Sequence, residues 1–307
     1  MRQLACLLFA VAFAGCLKSR PAPDEKVEPT STRIERGQYL VTSVFACVAC
    51  HSQVDDGMFA RPPKEGTTPG AGGQCWDESI GFPGRLCATN LTADDETGLG
   101  MYTDGELMRA MREGVDRHGR GLFPIMPYRD YAFVSDEDAR AIVAYLRTLP
   151  PVKNAVAEKS LDFPVGIFIR LAPRPLDGPV AEPDRSNPVE YGRYLGHVCQ
   201  RCHTPVDGRG RPLPGRALAG GQEFKLAGGG AVFSPNLTPH PDGLGSWSKE
   251  QFIARFRGYT APAAVDPKRN TVMPWLAFGG MTDDDLGAIW EWLHAMPAIE
   301  GKVAPWR

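Results

Sequence analysis

The feature that most constrains this chain is that it repeats itself. ERGQYL (Glu35 to Leu40) stands before CVACH (Cys47 to His51), and EYGRYL (Glu190 to Leu195) stands before CQRCH (Cys199 to His203). The order then continues in parallel. NLT occurs at Asn90 to Thr92 and at Asn236 to Thr238, GLGMY and GLGSW begin at Gly98 and Gly243, and Met126-Pro127-Tyr128 is matched by Met273-Pro274-Trp275. So many ordered matches mark a duplication, and 307 residues suffice for two units, each with its own core.

Helix signals repeat as well. Thr103 with Glu106, and Ser248 with Gln251, fit the capping box, in which side chains satisfy the first free amides of a helix. Each of these short helices is expected to stop at a glycine, Gly114 or Gly258. Ser135 and Thr282 cap a later helix in each half, and the acidic runs Asp136 to Asp138 and Asp283 to Asp285 favour its positive end. The apolar stripes Ile142, Tyr145, Leu146, Leu149 and Ile289, Trp292, Leu293, Met296 follow, running to Pro150 and Pro297. No strand pattern of any length competes. The expected fold class is therefore all-α, with tandem domains at 34–151 and 187–302. A Pro-rich linker, 152–186, joins them, and its apolar patch LDFPVGIFIRLA is expected to pack against one or both. The 34 Gly and 28 Pro fit long irregular connections around short elements.

The start of the chain reads as an export signal. Arg2 precedes an apolar run, Leu4 to Phe13, that is too short to span a bilayer. FAGC then resembles a bacterial lipobox, which makes residues 1–15 a lipoprotein-type signal peptide and Cys16 the lipidated first residue; the plainer alternative is a signal peptide with a chance cysteine. Residues 16–33 are polar and Pro-rich, as a flexible tether would be. The expected location is the periplasmic face of a bacterial membrane, reached through the lipid. Leu17 after Cys16, in place of Asp, favours the outer membrane. A formal net charge of -2 gives no reason to expect a nucleic-acid partner.

Cys-x-x-Cys-His admits three chemistries. Structural zinc wants four ligands, usually two pairs close in sequence, but these pairs lie 152 residues apart in separate repeats. A redox dithiol has no use for the histidine and would sit in a βαβ context that is missing. Covalent haem uses every residue: Cys47, Cys50, Cys199 and Cys202 as thioether attachments, and His51 and His203 as axial ligands. It also demands a second axial ligand downstream, before a terminal helix. Met126 and Met273 stand there, 75 and 70 residues after their histidines. A thioether on iron raises the reduction potential and closes the sixth position, which suits electron transfer better than catalysis. His118 is the alternative ligand in the first half, and Met281 the close competitor in the second. Met58, Met101, Met108, Met111, Met281 and Met296 are otherwise expected in the core. Cys75 and Cys87, unmatched in the second half, are expected to form a local disulfide in an oxidising compartment.

Both halves resemble class I cytochrome c domains. The whole chain resembles the multi-haem cytochrome c subunits of membrane-bound bacterial alcohol and gluconate dehydrogenases. The likeness is carried by ERGQYL, CVACH, NLT, GVDRHGRGLFPIMPY and DEDARAIVAYLRTLPPV, then EYGRYLGHVCQRCHTP, SPNLT and GLGSWS. It implies two covalently bound haem c groups with the axial pairs His51/Met126 and His203/Met273. It also implies an electron carrier that takes single electrons from a donor such as a periplasmic dehydrogenase and passes them to an oxidase or another cytochrome. The alternatives are a dihaem peroxidase and a cytochrome subunit of an alcohol or aldose dehydrogenase complex. Those subunits usually carry three attachment motifs and this chain has two, and APAAVDPKRNTVMPW around Met273 is a looser copy of the segment around Met126.

Overall fold

Each half is organised around one crossing of two helices. In the computed structural model, which describes residues 21–208, 210–259 and 261–306, α1 (Ser31–Tyr39) runs into a π-helical turn, Leu40–Val44. There follow α2 (Cys47–Cys50), α3 (Asp104–Glu113), α4 (Tyr128–Tyr131) and α5 (Asp136–Leu146). A one-turn helix α6 (Val165–Phe168) lies in the connection. The second half repeats the series as α7 (Pro188–Gly196), α8 (Cys199–His203), α9 (Lys249–Arg257), α10 (Trp275–Phe278) and α11 (Asp283–His294). The expected signal segment and Cys16 lie outside the described residues. Among the described residues no helix is long and apolar enough to cross a membrane.

The crossings, α1 on α5 and α7 on α11, are the largest helix contacts of the molecule. Both are seated on a glycine: a Cβ at Gly37 would strike the Ala141 carbonyl, and one at Gly192 the Ala288 carbonyl. Leu40, Val41, Val44, Ile142 and Val143 are fully buried around the first crossing, and Leu195, Leu286 and Leu293 around the second. The helix starts follow the sequence. Thr103 with Glu106 and Ser248 with Gln251 form complete capping boxes, while the hydroxyls of Ser135 and Thr282 accept the Asp138 and Asp285 amides. α5 and α11 end at Leu146 and His294, short of the prolines that the stripes run toward.

The all-α expectation needs amending at the periphery. Five short strands occur among the described residues. Three of them, β1 (Cys75–Trp76), β2 (Gly84–Cys87) and β3 (Ser160–Leu161), make one antiparallel sheet, and β4 (Glu223–Lys225) pairs with β5 (Ala231–Phe233). Strands of two to four residues are too short to show an alternating pattern, so the sequence does not announce them. Cys75 and Cys87 are paired across β1 and β2 and joined by a disulfide.

β3 belongs to the connecting segment, which lies along the first half: Arg174 N donates to Glu113 O (3.2 Å) and Asp136 N to Val180 O (2.9 Å). Its apolar patch is only half packed. Ile169 and Ala172 are buried, whereas Phe163 is 87% exposed and Ile167, Phe168 and Leu171 also face solvent, because a single helical turn can bury only one side. The segment expected as a tether is likewise held for part of its length. Arg140 pairs with Glu25, Val27 N donates to Asp104, and Thr30 caps α1. Met101, expected in the core, is 57% exposed.

The halves meet through a reciprocal contact. Tyr39 Oη donates to Asp285 Oδ2 (2.6 Å) and accepts from Thr282 N (3.1 Å). Its counterpart Tyr194 donates to Asp138 Oδ2 (2.7 Å) and accepts from Ser135 N (3.2 Å). Each half thus caps the terminal helix of the other, the pattern of an isologous two-fold interface.

Asp138 is almost fully buried and also takes two bonds of 2.8 Å from Arg36. Burial pushes its carboxyl up, but Arg36 and the Tyr194 hydroxyl outweigh burial and hold it below the ordinary carboxylate value. A carboxyl depressed in the folded state adds stability above its unfolded pKa of about 3.9, and that stability is lost as pH falls through the folded value. Tyr194→Phe removes one depressing bond and leaves the buried Ser135 N–H unpaired. It should cost about 1–2 kcal/mol at neutral pH and move the onset of acid unfolding upward. Thermal melts at pH 7 and through the acid range check this; an unchanged acid limb would contradict it.

Candidate functional site

The two Cys-x-x-Cys-His turns carry their histidines in the same way. His51 Nδ1 lies 2.7 Å from Thr89 O, and His203 Nδ1 lies 2.8 Å from Pro235 O. Only a protonated nitrogen can face a carbonyl, so Nδ1 donates and Nε2 is left bare, as a metal-ligating imidazole requires. Desolvation lowers both pKa values below the ordinary 6.5, opposed by these hydrogen bonds, so both rings are neutral at pH 7.

The carbonyls are themselves fixed, and the repeated NLT explains how. Asn90 Oδ1 accepts from Thr92 N (2.9 Å) and Oγ1 (2.8 Å), and its Nδ2 donates to Val152 O (2.7 Å). Asn236 does the same with Thr238 N (2.9 Å), Thr238 Oγ1 (2.8 Å) and Ile299 O (2.7 Å). The residue before each Asn offers its carbonyl to the histidine. On the other side, Gly72 N donates to His51 O (2.8 Å) and Gly220 N to His203 O (2.7 Å). Both glycines are left-handed, at φ +79° and +71°, and a Cβ on either would strike the backbone that leads into the Asn. The signal for this support is AGGQ, present at 71–74 and again at 219–222, which sequence reasoning passed over.

Cys47, Cys50, Cys199 and Cys202 are free of disulfides. Desolvation pushes Cys47 and Cys199 up to about 12, and Cys202 up to about 11. Such thiols are not thiolates at neutral pH, which disfavours thiol–disulfide exchange. Among the described residues no three His, Cys, Asp or Glu side chains converge as a zinc site would require. Two thiols and a bare imidazole nitrogen on one turn fit a covalently attached porphyrin iron.

Met126 and Met273 are partly buried, each just ahead of a one-turn helix, with Tyr128 N and Trp275 N bonded to their carbonyls (2.8 Å each). The helix after Met126 leans on its own motif: Tyr131 Oη donates to Phe45 O (3.2 Å), two residues before Cys47, and the rings sit 5.3 Å apart. The helix after Met273 packs instead against the π-helical turn of the first half. Two residues without a counterpart fasten these loops across the halves. Arg201 donates to Pro124 O (2.7 Å), Ile125 O (3.2 Å) and Asp130 Oδ2 (3.1 Å). Buried Asn270 donates to Asp56 O (3.0 Å) and Met58 O (2.9 Å) and accepts from Ala60 N (3.0 Å). Because the other half has a different residue at each position, neither stood out in the sequence. His118 sits exposed in a turn, and Met281 is buried in the core.

No protein-family model matches the chain. It is 32% identical over 301 residues to the cytochrome c subunit of the quinone-dependent alcohol dehydrogenase of Gluconobacter oxydans, covering 88% of this chain and 56% of that protein. It is 34% identical over 304 residues to the gluconate 2-dehydrogenase cytochrome c subunit of Pantoea cypripedii, covering 88% of this chain and 60% of that one. A dihaem c-type cytochrome of Cereibacter sphaeroides is 30% identical over 313 residues, with 97% of each chain covered. The chain therefore spans less than two thirds of the dehydrogenase subunits but nearly all of the dihaem protein.

Proposed function

Because the chain belongs to the family of dihaem c-type cytochromes, we propose that it holds two covalent haem c groups and relays single electrons. Cys47 and Cys50 would anchor one group by thioether bonds, and Cys199 and Cys202 the other. His51 with Met126, and His203 with Met273, would be the axial pairs. When bound, each group supplies a one-electron iron couple whose potential depends on its ligands and surroundings. The residues of the chain bind and orient. Thr89 O and Pro235 O hold the imidazole rings, and the methionine loops offer a soft ligand that favours the reduced state. The tandem units at 34–151 and 187–302 would then be two class I cytochrome domains.

The observation that carries this reading is the doubled arrangement of Cys-x-x-Cys, a neutral histidine and a fixed carbonyl behind it. The likeness to dehydrogenase subunits supports a dehydrogenase as donor, with an oxidase or a further cytochrome as acceptor. We further propose export, with residues 1–15 removed and a lipid on Cys16 holding the protein at the periplasmic face, the outer membrane being favoured.

The test is the mass of protein made in an export-competent, haem-attaching host. Two haem additions and a low-spin spectrum are expected. Colourless protein, or a high-spin ferric haem that turns over peroxide, would overturn the relay. Cys16→Ser should move the protein from the membrane fraction to the soluble periplasm.

A further inference from the structure

The second Cys-x-x-Cys-His turn reaches into the first half through one side chain. Arg201 is a spacer of CQRCH, next to Cys202 and two residues from His203. Its Nη2 donates to Pro124 O (2.7 Å) and Ile125 O (3.2 Å), the two carbonyls directly before Met126. Its Nη1 donates to Asp130 Oδ2 (3.1 Å), in α4 just after Met126. One guanidinium thus brackets the methionine loop from both ends. A planar fork with several donors can satisfy two carbonyls and a carboxylate together, which a single ammonium head cannot.

The link runs one way. Under the duplication Arg201 corresponds to Ala49, which has no side-chain donor, and Pro124 and Ile125 correspond to Thr271 and Val272. The second loop is stiffened locally instead, since Met273 N donates to Thr271 Oγ1 (3.1 Å) and Asn270 bonds to the first half. At the first loop Pro124 and Ile125 bring no side-chain hydroxyl or amide, and Met126 N bonds only to the backbone at Phe123 O (3.0 Å). Arg129 and Tyr131 anchor the far side of that loop to Ala172 O and Phe45 O, and the carbonyls of Pro124 and Ile125, directly before Met126, are held by Arg201.

We propose that Arg201 is a positioning residue which seats the Met126 loop from the second attachment turn, so that the redox properties of the first centre depend on how the second turn is held. This rests on the function proposed above. Fixing Cys199, Cys202 and His203 on a haem would fix the backbone that carries Arg201, and through it residues 124–130. The two centres would then be mechanically coupled, and the coupling would be asymmetric.

The test uses the full-length haem-loaded protein in a Met273→His background. A second histidine lowers the potential of the second haem relative to His/Met, so the wave of the first haem is read alone. Adding Arg201→Gln should lower the first wave and weaken the long-wavelength band of Met-ligated ferric haem at that centre, with two haems still attached by mass. Arg201→Lys, which keeps the charge but not the fork, should restore the band only in part. Full restoration by lysine would overturn positioning in favour of charge alone. A first wave and band unmoved by Arg201→Gln, with both haems attached, would overturn the coupling outright. If Arg201→Gln fails to fold, Asp130→Ala carries the test: the band should weaken, and an unchanged band would refute the proposal. Parent protein without covalent haem would instead overturn the proposed function, a result distinct from all of these.

Discussion

Gly192→Val should come close to unfolding the second half. Its Cβ would be driven into the Ala288 carbonyl, with Ile289 N beside it, so the obstacle is backbone that cannot swing aside. The only relief is to part α7 from α11, and that opens the contact burying Leu195, Leu286, Trp292 and Leu293. Overpacking alone costs about 1–3 kcal/mol, and the lost helix contact adds to it, giving an expected loss of about 3–5 kcal/mol. That is a large part of the roughly 5–15 kcal/mol by which a folded protein is stable. Gly37→Val should do the same to the first half, through Ala141. Gly166→Ala is the control, since it meets nothing within 4 Å and lies in the exposed one-turn helix. Denaturant titrations of the three variants decide the matter. A loss below about 1 kcal/mol at Gly192 would mean that the crossing is not seated on its glycine.

Asn236→Ala should be the most damaging polar substitution. The side chain accepts from Thr238 N and Thr238 Oγ1 and donates to Ile299 O (2.7 Å) and Gly301 O (3.3 Å), all around a site only 3% exposed. Removing it strands several buried partners at once. Each costs about 1–3 kcal/mol and they do not add fully, so a total of about 2–4 kcal/mol is expected. A purely structural loss would end there. Because Pro235 O holds His203, this variant should also loosen the ring, giving a heterogeneous or weakened low-spin spectrum for one centre of the two. Asn90→Ala should act in the same way on the other, through Thr89 O. Melting curves and spectra taken together test both parts. Normal stability would refute the network, and a normal spectrum with lowered stability would refute its hold on the histidine.

Much of this architecture could be read in the chain because the duplication acts as an internal control. A lone Thr103 or Ser135 is an ordinary residue, but paired with Ser248 or Thr282 each becomes a helix start, and the structure shows all four as caps. What the repeat does not share, it cannot announce. Arg201 faces Ala49 across the alignment, and Asn270 lies where the two methionine segments diverge, so the contacts that fasten one half to the other were hidden. The carbonyls of Thr89 and Pro235 were hidden for another reason. A backbone acceptor leaves no mark on its own residue type, and only the NLT behind it and the AGGQ across from it betray the position. The strands escaped because at two to four residues they are products of the disulfide and the loops around them.

The crossed tyrosines carry a consequence for how such a chain can change. Tyr39 with Asp285, and Tyr194 with Asp138, form one contact written twice. Between separate identical subunits any substitution there would appear on both sides together, and the partnership would fail on dilution. With both copies in one polypeptide the association no longer depends on concentration, and each side can vary alone. A symmetric framework can in this way keep its shape while an arginine arises on one side only, so that two sites of common plan acquire separate tasks.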